Sequence, residues 1–260
     1  MHWKAICLSA LIILSGGLPV SRAQDATTDA PPTKKPIVKP TSKPADAPKP
    51  AATASNAVTP AKKDTPTHEK LLAEAKKGPY DLVLLGDSIT RGWPNGGKSS
   101  YAKLAEYKPL DLGVSGDCTQ HVLWRITNGE LDGLKPKVLV LMIGTNNAGA
   151  GDQPEWTAAG VAKIVETVHE KLPDTKVLLL GIFPRDKKDS PKRKFVTAVN
   201  EIISKLGDDK KTFYLDIGDK FLDENGEISP KIMGDGLHPG PKGYDIWFDA
   251  MKPKLDELMK

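Results

Sequence analysis

The 260-residue sequence predicts an α/β fold in which a five-stranded parallel sheet is covered by helices on both faces. Three observations predict it. Five short apolar runs recur from residue 81 onward, rich in Leu, Val and Ile and without the clean alternation of a sheet wetted on one side. Segments of helical period lie between them. Proline or glycine closes two of those segments, where helices normally stop.

In order along the chain, residues 68–77 predict a helix ahead of the first strand. The strands follow at 81–85 (DLVLL), 110–114 (LDLGV), 138–143 (VLVLMI), 176–182 (KVLLLGI) and 212–217 (TFYLDI). Residues 156–172 place Ala159, Ile164, Val168 and Leu172 on one helical stripe, and Pro173 ends it. Residues 191–206 do the same with Phe195, Val199, Ile202 and Leu206, and Gly207 ends it. A last amphipathic helix spans 244–258, where Pro253 is expected to break or kink it.

The N-terminal quarter differs. Residues 1–23 hold Lys4, an apolar run from Ala5 to Leu14, and Ser21-Arg22-Ala23, the pattern of a secretory signal peptide. The run is short for a bilayer span, which needs roughly 20 residues. The expectation is therefore a secreted or periplasmic protein with no stable membrane insertion after cleavage, the alternative being an uncleaved anchor. Residues 24–66 contain nine prolines and no aromatic residue, so they predict a disordered Pro/Ala/Thr/Lys-rich linker. The folded domain is then expected over 67–260. The net charge of +4 belongs to the leader and linker, which carry +2 and +3 and leave the domain at −1. Such a domain has no basic footprint for nucleic acid. Removing the leader leaves Cys118 as the sole cysteine, so neither an intrachain disulfide nor a cysteine metal cluster is expected.

In open parallel sheets, sites form beyond the carboxyl ends of the strands. The residues there are Gly86-Asp87-Ser88 after the first strand, Ser115-Gly116-Asp117 after the second, Gly144-Thr145-Asn146-Asn147 after the third and, further along after the fifth, Asp235-Gly236-Leu237-His238-Pro239. A serine hydroxyl needs a neighbouring base to become a nucleophile. His238 supplies a base of suitable range, and Asp235, three residues earlier, can orient its ring from one local turn. The Ser88 N–H, the Gly116 N–H and the Asn146 amide are candidate donors to an oxyanion. Taken alone, Ser88 reads better as a helix cap than as a nucleophile. The sequence has no Gly-x-Ser-x-Gly elbow and no Gly-x-Gly-x-x-Gly after the first strand.

LGDSIT, GVSGD, IGTNN and DGLHP, in this order, resemble the four sequence blocks of the SGNH hydrolases, also called GDSL-type esterases and lipases, and most of all the platelet-activating-factor acetylhydrolase catalytic subunits. The resemblance covers roughly residues 70–255. It implies a flavodoxin-like three-layer α/β/α sandwich, no metal and no cofactor, Ser88 as nucleophile, Asp235 and His238 as its partners, and Ser88, Gly116 and Asn146 as the oxyanion hole. Cys118 departs from the family pattern, where an arginine or another polar residue follows Gly-Asp. The activity implied is a secreted esterase acting on short, acetyl-sized carboxylic esters of a small molecule, a glycan or a lipid. Alternatives on the same residues are a thioesterase or lysophospholipase, or an inactive carbohydrate-binding module. A homodimer is a candidate assembly on resemblance alone.

The remaining candidates are individual side chains. Trp93 reads as lining a substrate groove or as cover for the first loop. Arg185 reads as a solvated side chain ahead of a partner for an anionic substrate group, Asp87 as a tie within its loop, and His68, His121 and His169 as structural.

Overall fold

The computed structural model describes residues 56–260. The expected signal peptide and residues 24–55 of the expected linker lie outside them. A 3-10 turn at Asn56–Val58 precedes α1 (Thr65–Ala75) and β1 (Leu82–Gly86). The short helices α2 (Ser88–Arg91) and α3 (Lys98–Lys103) lead to β2 (Pro109–Gly113). Then come α4 (Thr119–Arg125), β3 (Val138–Met142), α5 (Asn147–Ala150), α6 (Pro154–Lys171) and β4 (Lys176–Leu180). The chain finishes with α7 (Pro191–Ile203), β5 (Thr212–Leu215) and α8 (Pro241–Met259).

All five strands pair in parallel, in the order β2-β1-β3-β4-β5. This is the flavodoxin-like order, and its topological switch lies between β1 and β3. Alternate residues of each strand feed separate cores. Val83, Leu85, Leu139 and Leu141 meet α4, α6 and α7, whereas Leu82, Leu84, Val138 and Val140 meet Trp93 and α8. Each buried Leu or Val contributes about 1.5–3 kcal/mol. The absence of alternation in the sequence is thus the mark of a sheet covered on both faces.

Proline occupies the first turn of α6, α7 and α8, where its missing N–H has no intrahelical partner to lose. In α7 the buried stripe is Val196, Val199 and Ile203, with Phe195 and Ile202 only half-buried beside it. In α6 it is Ala158 rather than Ala159 that is buried. The last helix does not break at Pro253. Pro253 is exposed while Trp247, Met251 and Leu255 hold the opposite face in the core. Packing of that face keeps the helix continuous.

Residues 56–66, which composition assigns to the linker, pack against the folded part. Ala57 is fully buried, and the Thr119 hydroxyl donates to its carbonyl at 2.9 Å. Ala61 N–H donates to the Gln120 carbonyl at 3.0 Å, and Asp64 caps α1 by accepting from Thr67 N–H at 3.0 Å. One small residue and a few backbone bonds order this stretch, which composition alone reads as tether.

Candidate active site

Strand β1 ends in glycine because helix α2 and strand β3 crowd its last residue. A Cβ at Gly86 would lie 2.3 Å from the Thr90 hydroxyl and 2.4 Å from the Met142 carbonyl oxygen. The cap of α2 is Asp87, whose carboxylate accepts from Ile89 N–H at 2.9 Å. Ser88 is the first residue of that helix, and its hydroxyl points elsewhere. Its Oγ lies 2.9 Å from Nε2 of His238.

His238 comes from the loop before α8. Its Nδ1 lies 2.7 Å from Oδ2 of Asp235. The other oxygen of Asp235 accepts from the backbone N–H groups of Leu237 at 2.9 Å and His238 at 2.7 Å. Partial burial pushes the Asp235 carboxyl up, but the bonds from the His238 ring and from those two N–H groups outweigh it and hold the group down at about 2. An ionised carboxylate only accepts, so Nδ1 carries the proton and Nε2 is free to accept from Ser88 O–H. The site is open, with the side chains of His238 and Asp235 44% and 56% exposed.

The loops after β2 and β3 meet each other beside Asp87. The Asn146 amide donates to the Asp117 carbonyl at 2.8 Å and lies 3.5 Å from Oδ2 of Asp87. Gly116 holds the left-handed φ of +72°, which favours glycine. Asp87 is buried, and burial pushes its carboxyl up to about 7 against the bond from Ile89 N–H; Asp117 pushes the same way, while His238 and Arg185 oppose. As expected, Asp87 ties its loop.

Two expectations are corrected. Trp93 lines no groove: it is fully buried, with its ring centroid 5.0 Å from that of Tyr244 and 4.6 Å from that of Trp247. Arg185 is not solvated. It is 7% exposed and donates to the Thr145 carbonyl at 2.9 Å and hydroxyl at 3.1 Å, holding the loop before Asn146 from behind. His68, His121 and His169 are framework: His121 Nδ1 accepts from Cys118 N–H at 3.0 Å, His169 meets the Thr212 hydroxyl at 2.8 Å, and His68 meets the Asn128 carbonyl at 3.1 Å. Cys118 is buried at the start of α4, and that burial pushes its thiol up to about 11, away from thiolate chemistry.

The sequence reading missed a buried ionic support. Arg125, 3% exposed, donates from Nε to Asp117 at 2.8 Å and pairs with the fully buried Glu130. A further cation, Lys63, reaches the other oxygen of Asp117 at 3.2 Å from the segment before α1. The signal available was the charge of these residues inside otherwise apolar helical surroundings. Among the described residues, no group of three or more His, Cys, Asp or Glu could hold a metal ion. No described helix is long and apolar enough to cross a membrane.

Residues 84–246 match the GDSL-like Lipase/Acylhydrolase family. The chain is 32% identical over 224 residues to human platelet-activating factor acetylhydrolase IB subunit alpha1, covering 79% of this chain and 93% of that one. It is 33% identical over 199 residues to the bovine subunit alpha1, covering 74% and 82%. A putative acylhydrolase from Bacteroides fragilis shares the fold with a TM-score of 0.65 at 19% identity, over 76% of this chain and all of the other. An acetyl xylan esterase from Geobacillus stearothermophilus gives 0.54 at 18% identity, over 68% and 94%.

Proposed function

The chain belongs to the GDSL-like lipase/acylhydrolase family and is a hydrolase acting on ester bonds, and on that premise we propose that it is a secreted serine esterase removing short, acetyl-sized acyl groups through an acyl-enzyme on Ser88. The observation that carries this reading is the continuous line of bonds from Ser88 Oγ through the His238 ring to Asp235.

The geometry supports the following steps. Ser88 Oγ attacks the ester carbonyl as His238 Nε2 takes its proton. Asp235, ionised above about pH 2, stabilises the imidazolium that forms. The negative oxygen of the tetrahedral intermediate takes bonds from Ser88 N–H, Gly116 N–H and the Asn146 amide. Collapse expels the alcohol, which receives the proton from His238. Water, deprotonated by the same ring, then attacks the acyl-enzyme and releases the acid and Ser88.

The exposed His238 and Asp235 support a substrate presented at an open surface, with an alcohol portion of any size, such as an acetylated glycan or a lipid headgroup. The similarity to acetylhydrolase subunits supports the acetyl group. The leader at residues 1–23 supports secretion or export to a periplasm. Hydrolysis of p-nitrophenyl acetate, butyrate and octanoate by the full chain tests the reading. Turnover that falls with acyl length is the expected result, and the highest kcat/KM on octanoate would refute the short-acyl assignment. An acetylated xylo-oligosaccharide assayed in parallel separates a glycan ester from a small-molecule one.

A further inference from the structure

Residues 56–63, ahead of α1, run across the start of α4 and end over the turn after β2. Along the way Ala57 is buried beside α6, where a Cβ at Gly160 would lie 2.7 Å from the Ala57 carbonyl oxygen. Ala61 bonds the Gln120 carbonyl at 3.0 Å, and the Lys62 ammonium lies 5.6 Å from the Trp124 ring centroid. Lys63 then donates to the Ser115 carbonyl at 2.5 Å and to Asp117 Oδ1 at 3.2 Å.

Building on the reading of Gly116 as an oxyanion donor, we propose that Lys63 is a positioning residue for the reaction. Its ammonium fixes and polarises the peptide unit that joins Ser115 to Gly116. Asp117 N–H donates to the Val114 carbonyl at 3.2 Å, which closes a four-residue turn. Gly116, its third residue, has φ +72°, while Ser115 is not among the residues of positive φ. That combination is a type II turn. Types I and II differ by a flip of the middle peptide, so the direction of the Gly116 N–H depends on which way that one unit faces.

The peptide is planar and trans, so the Ser115 carbonyl and the Gly116 N–H point in opposite directions. A cation bonded to the carbonyl therefore holds the N–H on the other side. It also draws electron density toward the carbonyl oxygen, which strengthens the N–H as a donor. The anchor is rigid, since Asp117 is 1% exposed and its second oxygen is held by Arg125 at 2.8 Å. The stretch that composition reads as tether thus supplies a part of the catalytic apparatus.

The test compares Lys63→Met, Lys63→Arg, Lys62→Met and Ser88→Ala in the full chain on p-nitrophenyl acetate, with Tm recorded for each. Lys63→Met is expected to lower kcat about tenfold or more, a fraction of what losing a whole donor costs. KM stays within about twofold, because the bond matters most when the oxyanion forms. A trifluoromethyl ketone, which forms a tetrahedral adduct on a serine, loses affinity by a similar factor. Lys63→Arg restores most of the rate, and Lys62→Met, which removes the same charge from the same segment, leaves it unchanged.

Wild-type kcat in Lys63→Met beside an inactive Ser88→Ala overturns this inference and leaves the nucleophile standing. A kcat loss matched by a fallen Tm, unrescued by arginine and with unchanged ketone affinity, overturns it too, as a structural effect. Turnover retained in Ser88→Ala removes the nucleophile reading and the inference together.

Discussion

Ser88 and His238 stand 150 residues apart in the sequence and 2.9 Å apart in space. The contact joins the end of the first strand to the loop before the last helix, so it exists only when α8 has packed beside α2 on its face of the sheet. It also decides between two roles for one serine. Asp87 already caps α2, which leaves the Ser88 hydroxyl free to bond the imidazole.

Asp235→Asn is expected to lower kcat by about two to three orders of magnitude. The neutral amide no longer stabilises an imidazolium and favours the wrong ring tautomer. The loss is smaller than for a buried aspartate, because Asp235 is 56% exposed and water can replace part of its effect. Because Asp235 titrates at about 2, it adds no limb to the rate profile above about pH 4. Steady-state kinetics from about pH 4 to 9 check both statements.

Asn146→Ala and Gly116→Ala test the oxyanion donors. Asn146 donates to the Asp117 carbonyl at 2.8 Å and reaches Oδ2 of Asp87 at 3.5 Å, so the second amide hydrogen, held by that long contact, is the one open to substrate. Its removal is expected to cost about 10²–10³ in kcat with little change in KM. Gly116→Ala is expected to do at least as much damage. Its Cβ would lie 3.1 Å from the Lys63 ammonium, at a φ of +72° that alanine resists. Kinetics of each variant, with circular dichroism to confirm folding, check the pair.

The parts legible in the sequence share one physical origin. Strands β1 and β3 are runs of Leu and Val buried on both faces, and the loops after them carry Ser88 and Asn146 because an open parallel sheet leaves its carboxyl edge free. What stayed illegible depends on tertiary contacts. Arg185 looks like any surface arginine until the Thr145 loop closes over it. Trp93 reads from sequence as groove or cover alike, and only the packing of α8 over it decides. Lys63 sits in a stretch of Pro, Ala and Lys whose order comes from α4, more than 50 residues away.

Stability is expected to fall as pH rises from about 4 to about 7. Burial raises the Asp111 carboxyl from 3.8 to about 7 against the bond from Gly113 N–H and the pull of Arg91 and Arg125, and Asp87 is raised to about 7 as well. A carboxyl raised in the folded state binds its proton more tightly there than in the unfolded chain. Stability is therefore lost across that interval and changes no further above it. Asp111→Asn keeps an oxygen for Gly113 N–H, now accepted at 2.8 Å, and should flatten the decline of Tm between about pH 4 and 7.

Trp93→Ala is expected to destabilise the fold by about 3–5 kcal/mol, the usual cost of deleting a buried aromatic ring. The volume-sparing Trp93→Phe should keep KM for p-nitrophenyl acetate within about twofold, because the ring packs against Tyr244 and Trp247 rather than substrate. Urea unfolding and initial-rate kinetics check the two halves.

The most direct test of the account is covalent labelling of the full chain by a fluorophosphonate, followed by peptide mass mapping, before and after denaturation. The account predicts one phosphonyl group on the peptide that contains Ser88, loss of esterase activity in step with labelling, and no label after unfolding or in Ser88→Ala. A folded protein that hydrolyses esters but takes no label, or takes it on another residue, would contradict it.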